Sequence, residues 1–144
     1  MPVPRSVTKV MKGGVKFTDS VDRCKYTLKE LSRAALRDVG KYVVKETRNN
    51  FKAAGIHRTG RGSKNTQYWV RKRETDLQVG FKRGGFYMGF QEKGTSKLRP
   101  TNALRDAAHD NIKTIRDIEG QYLSHIEDEQ RALAMIDDRE YQGD

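Results

Sequence analysis

The chain has 144 residues, 35% of them hydrophobic and 33% charged, and a formal net charge of +10. That length holds one domain with a modest core, and the regular apolar pattern excludes a disordered chain. No run approaches the roughly 18 apolar residues of a membrane-spanning helix, and a single cysteine, Cys24, excludes an internal disulfide.

The charge is uneven. Residues 1–100 carry 24 Lys and Arg against 8 Asp and Glu, whereas residues 101–144 carry 5 against 11. A basic body can face an acidic polymer such as DNA. Equally, the acidic end of one copy can meet the basic face of the next. A solvated surface gives the same composition. The N-terminus lacks the apolar core of a signal peptide. With the lone cysteine, this points to folding in a reducing cytosol.

Residues 1–18 read as a basic arm, in which "SVTKVMK" suits a short strand. An arm that orders on a neighbour is an equal reading. Residues 19–54 read as one long helix, capped by Asp19 or Ser20 and ended by Gly55. Val21, Cys24, Leu28, Leu31, Ala35, Val39, Tyr42, Val43 and Phe51 recur at helical spacing and predict a core-facing stripe. Cys24 falls on it as a small buried hydrophobe. Lys25, Lys29, Arg33, Arg37, Lys41, Lys45, Arg48 and Lys52 form a second, basic stripe. Gly40 is out of place, since a mid-helix glycine costs about 1 kcal/mol relative to alanine.

Residues 55–65, "GIHRTGRGSKN", read as a mobile, glycine-rich basic loop containing Arg58, Thr59, Gly60 and Arg61. The period then changes to two. "TQYWV", "DLQVGF" and "FYMGF" alternate, and the breaks between them suit turns. The prediction is a three-stranded antiparallel meander covered on its apolar face by the long helix. A helical period returns after Pro100, capped by Thr101 or Asn102. Leu104, Ala108, Ile112, Ile115, Ile118 and Tyr122 form its stripe, with a break expected at Gly120. A looser acidic segment follows, with Ile126, Leu133 and Ile136 apolar and a frayed end over 137–144. The organisation is thus a basic arm (1–18), an α+β core (19–119) and an acidic helical extension (120–144).

Little in this order suits catalysis. His57, His109 and His125 form no i, i+4 pair, and no second cysteine completes a metal site. Glu127, Asp128 and Glu129 are consecutive on a predicted helix and fan outward, where paired-carboxylate chemistry needs two groups facing across a cleft. The serines have no nucleophile-elbow context. "RTGRGSK" lacks both the spacing and the preceding strand of a phosphate-binding loop. Neither an enzyme nor a cofactor is expected. Lys41, Lys45 and Arg48 of the basic stripe, Arg58, Arg61 and Lys64 of the loop, and "RKR" (Arg71, Lys72, Arg73) can face DNA phosphates, and the stripe and "RKR" can equally face a neighbouring subunit. Tyr68 and Trp69 can stack on bases or fill a hydrophobic contact.

The order of the pieces carries one resemblance. A long basic helix, a Thr59-Gly60-Arg61 loop, an alternating segment ending in Tyr87, Phe90, Glu92, Gly94 and Thr95, then Pro100 and a helix with Leu104 and Ala107, follow one another. This resembles the head–tail joining and tail-completion proteins of long-tailed bacteriophages over about residues 20–110. "RPTNAL" replaces the family's usual Pro-Phe pair, and the acidic extension lies outside the match. The resemblance implies a virion structural subunit, assembled in the host cytoplasm into a usually sixfold ring in the neck or at the tail end. It would contact connector or tail-tube proteins and, in passing, genomic DNA. No membrane, cofactor or catalysis is implied. The Tyr87–Pro100 segment would then be a subunit interface or a structural turn. A sequence-independent nucleic-acid-binding protein is the alternative reading.

Overall fold

A computed structural model describes residues 3–56 and 60–135. His57, Arg58, Thr59, Ile136 and residues 137–144 lie outside them, and with them the first part of the Thr-Gly-Arg element and the expected frayed end. The fold class is α+β, with a long helix packed on a small antiparallel sheet and followed by shorter helices.

The chain divides into two compact units. The first joins the described residues up to Ala34 with those from Gln121 onward. Strands β1 (Val7–Val10) and β2 (Lys16–Asp19) pair as an antiparallel hairpin with Val7 opposite Asp19 and Val10 opposite Lys16. Its turn uses Gly13 and Gly14 at positive φ. Every residue of both strands is exposed. Helix α1 (Val21–Ala53) starts where the Asp19 carboxylate accepts the Val21 N–H at 3.0 Å, as the capping reading expects.

The apolar stripe begins later than its spacing suggests. Val21, Cys24 and Leu28 are exposed, and the first buried residue of the stripe is Leu31. Within this unit, Cys24, Leu28 and Leu31 line an apolar groove with Ile126 instead of a closed core. Arg33, placed on the basic stripe by its spacing, is buried and paired with Glu30 at 3.2 Å. The acidic partner one turn away makes that burial tolerable. Helix α6 (Glu129–Met135) places Ala132 fully inside.

The second unit spans Ala35–Gly120. Strands β3 (Thr66–Val70) and β4 (Leu77–Phe81) pair with Tyr68 opposite Val79 and Val70 opposite Leu77. The predicted alternation holds. Leu77 and Val79 pack against Val39 and Val43 of α1, with Ala107, Leu104, Ile115 and Ile118 completing that cluster. A second cluster joins Phe51, Met88 and Ala103, with Phe81 tilted against Phe51 at a centroid distance of 6.0 Å. Helix α1 ends at Gly55, φ 73°, where Gly55 N–H donates to Lys52 O and Ile56 N–H to Phe51 O. These two bonds satisfy carbonyls that the helix end leaves free.

The third strand of the meander does not form. Residues Arg83–Gly85 make a 3-10 turn, and Met88–Lys93 make helix α3. Four apolar residues within a run of five fit either period. Met88 goes inside while Phe86 and Phe90, four apart, point outward. The expected loop also tightens, since Arg61–Asn65 form the short helix α2. Past Pro100 the helix is two helices, α4 (Ala103–His109) and α5 (Ile112–Leu123). Asn111 sits between them, donating to Ala107 O and accepting from the Tyr42 hydroxyl at 2.8 Å. On α4 the burial falls on Ala103 and Ala107, not on Ala108. Gly120 does not break α5, which runs on to Leu123.

Candidate functional site

The segment from Tyr87 to Pro100 is organised by hydrogen bonds inside its own chain. Helix α4 has no cap of its own. Asn102, at its N-terminal boundary, sits in the left-handed region with φ 50° and makes no capping bond. The Thr101 hydroxyl is also engaged elsewhere, donating to Gln91 O at 2.9 Å. The capping acceptor is Glu92, at the end of α3. Its carboxylate takes the Leu104 N–H at 3.1 Å and the Arg105 N–H at 3.0 Å. These are two of the N–H groups a helix start leaves unpaired, and a carboxylate there also meets the positive end of the helix dipole. Glu92 therefore serves as a structural joint between α3 and α4.

Gly94 ends α3 with φ 75° and ψ 169°, its N–H donating to Phe90 O at 2.8 Å. That region is essentially restricted to glycine. A Cβ at Gly94 would also stand 2.8 Å from Leu98 O and from the Pro100 nitrogen. Thr95 closes the loop, its hydroxyl accepting from the Lys97 and Leu98 N–H groups. Thr95 N–H donates to Leu98 O at 2.9 Å. Glu92, Gly94, Thr95 and Pro100 thus form one turn that aims α4 at the core.

The aromatic residues of this segment divide. Tyr87 is half-buried beside the Phe51 cluster. Phe86 and Phe90 are 72% and 55% exposed and meet edge to face at 6.4 Å. Phe86 also meets Tyr87 edge to face at 6.0 Å, and the Phe86–Phe90 pair forms a small exposed apolar knob on the second unit.

The basic residues also divide. Gly60, φ 64°, precedes α2, and the exposed Arg61 opens it. Gly62 is buried, and a Cβ there would lie 2.7 Å from Met88 Cε. Arg48 reaches across from α1, donating from Nε to Ser63 O at 2.9 Å and from Nη2 to Thr66 O at 3.1 Å. It fastens α2 to α1. Arg71 closes the β3–β4 turn, donating from Nε to Asp76 Oδ1 at 2.7 Å and pairing with Glu74. The hydrogen bond from Arg71 holds the Asp76 carboxyl below its ordinary value, and the same bond raises Arg71. Arg71 is thereby committed to its own turn. Lys72 and Arg73 are exposed beside it, and Lys45 is exposed on α1. Lys41 is also exposed, with Asp38 at 3.4 Å.

One cavity collects four cations. Lys41 and Arg48 of α1, Lys64 of α2 and Lys82 just past β4 line it, with Gln67 and Tyr68 of β3. Its volume is about 330 Å³. Lys64 belongs to the basic loop that the sequence offers to phosphates, whereas Lys82 carries no local signal, because it lies on a different element and meets the others only through the fold. Among the described residues, no cluster of three or more His, Cys, Asp or Glu side chains can hold a metal ion. No described helix is long and apolar enough to cross a membrane.

No protein-family model, curated protein or solved structure matches the chain.

Proposed function

We propose that the chain is a structural subunit of a tailed-bacteriophage virion, assembling into a ring in the neck or at the tail end. The observation that carries this reading is the β1–β2 hairpin. Val7, Val10 and Phe17 are all more than half exposed, and neither strand has a buried residue. An isolated two-stranded hairpin is marginal in water and gains stability only when something packs on it. Among the described residues no third strand joins this sheet, and open strand edges favour addition of a further strand.

The Phe86–Phe90 knob is a second apolar surface, on the other unit. A ring built head to tail needs two different surfaces on each subunit. The hairpin also carries Lys9 and Lys16, while Asp117, Glu119, Glu127 and Asp128 lie toward the other end of the described chain. Opposite charges of this kind steer and register subunits.

Light scattering and negative-stain imaging of the purified protein test the proposal. Rings, lost on deletion of residues 1–18 while helical circular dichroism is kept, are the expected result. A monomer at every concentration, alone and with connector or tail-tube proteins, overturns it.

A further inference from the structure

We infer that the four-cation groove of the second unit binds the phosphodiester backbone of a nucleic-acid strand, without reading its sequence. Lys41, Arg48, Lys64 and Lys82 converge on it from three helical or strand-flanking segments, and no carboxylate among the described residues lines it. Bringing like charges together is unfavourable unless an anion offsets the repulsion. Its volume of about 330 Å³ is at the small end of ligand-binding cavities.

The positions are fixed by the backbone. Arg48 bonds the carbonyls of Ser63 and Thr66, which sets α2 against α1 and with it Lys64. Lys82 N–H donates to Asn65 O at 2.8 Å, which ties the end of β4 to the same place. The Lys41 ion pair with Asp38 is half-exposed on both sides. Such a pair is worth little and exchanges readily for a phosphate. Lys45 and Lys52 continue the exposed basic face of α1 beyond Lys41 and Arg48 at helical spacing. The result is a track of charge leading out of a cavity, which suits a polymer of phosphates.

Lysine supplies three of the four cations. Lysine is depleted in protein–protein interfaces, and only Val44 and Tyr68 among the eight lining residues are apolar or aromatic. As point charges, lysines neutralise phosphates without the paired geometry that reads bases. The inference does not depend on ring assembly.

Fluorescence polarisation of a labelled thymidine oligonucleotide and of a duplex, between about 50 and 200 mM salt, tests it. Binding with a steep log–log salt dependence is expected. The double variant Lys64→Glu with Lys82→Glu should weaken binding at least tenfold at the low-salt end. Lys64→Gln with Lys82→Gln should flatten the slope by about two, one for each phosphate contact removed. Lys113→Glu with Arg116→Glu makes the same change of net charge outside the groove and should leave both closer to wild type. Light scattering on the same samples reports assembly separately. No binding at low salt, equal losses in the groove and control pairs, or competition by inorganic phosphate without any binding of strands would each overturn the inference.

Discussion

The ring of Tyr68 lies directly on the backbone of Gly40. A Cβ on Gly40 would stand 2.5 Å from Tyr68 Cδ2, 2.7 Å from Cγ and 2.9 Å from Leu77 Cδ1. The glycine that looks like a flaw in α1 is the point where β3 and β4 approach the helix most closely. At an exposed mid-helix site, Gly→Ala gains about 1 kcal/mol. Here Cγ is the root of a ring held by the strand, and it cannot move aside. Overpacking of this kind costs about 1–3 kcal/mol. Gly40→Ala should therefore lower stability, by up to about 2 kcal/mol net, in urea unfolding. A variant more stable than the parent would show that the helix and hairpin are not in this contact.

Gly94 and Gly55 separate two causes of glycine dependence. Both have positive φ, 75° and 73°. A Cβ at Gly55 meets nothing within 4 Å, whereas one at Gly94 meets the backbone of Leu98 and Pro100. Gly55→Ala should cost about 1 kcal/mol, for the left-handed backbone alone. Gly94→Ala adds a clash with main chain in a region alanine scarcely occupies, and should cost about 3 kcal/mol or more. The melting temperatures of the two variants should differ widely; equal values would contradict the turn geometry.

Glu92 caps a helix from another element, so its loss should be felt as stability. Glu92→Ala removes the acceptor for Leu104 N–H and Arg105 N–H. The expected cost is about 1–2 kcal/mol. Glu92→Gln keeps an oxygen but loses the charge at the helix start, for about 0.3–1 kcal/mol. The order Ala worse than Gln, read from unfolding midpoints at neutral pH, checks the assignment. An unchanged midpoint for Glu92→Ala would remove the capping role.

The long helix, its Asp19 cap, its Gly55 end and the alternation of β3 and β4 are local patterns, and all are present. The buried ends of the stripes were harder to read. Spacing says which face of α1 is apolar, but not how far along it anything packs, so Val21, Cys24 and Leu28 look like core and are exposed. The same blindness puts Arg33 outside when Glu30 lets it go in. "FYMGF" is too short to distinguish a period of two from one of 3.6. The Glu92 cap and the Lys64–Lys82 groove join residues from separate elements, and no local spacing encodes such meetings. Asn102 and Thr101 did carry one signal. Each can cap a helix, and only the tertiary bonds of Thr101 and the φ of 50° at Asn102 show that neither does.

The β3–β4 turn should be sensitive to acid. Hydrogen bonding by Arg71 lowers the folded-state pKa of Asp76. A depressed carboxyl pKa contributes stability that is present above the unfolded value, near 4, and is lost as pH falls through the folded value. The side chains of Arg71 and Asp76 are substantially exposed, so the effect is a local one. An NMR titration of the Asp76 carboxyl should give a midpoint below that of an ordinary aspartate. In Arg71→Ala the midpoint should return to the ordinary range. Identical midpoints in the two proteins would mean that the pair does not form in solution.

Phe86 and Phe90 test the assembly reading at a place where folding is not at stake. Both project outward, 72% and 55% exposed, and contact each other edge to face. Replacing both with serine removes little that the monomer buries, so unfolding of the isolated subunit should change by only about 0.5 kcal/mol per site. Aromatic anchors at an interface carry far more, about 2 kcal/mol or above when truncated. Phe86→Ser with Phe90→Ser should therefore shift self-association by more than tenfold, measured by sedimentation velocity across a concentration series, while the melting curve of the monomer hardly moves. Association unchanged would free the knob of any subunit contact and leave the N-terminal hairpin as the surface on which assembly rests. A collapse of the melting curve would instead mean that the two rings support α3 within the fold, where Met88, two residues from each, is already buried.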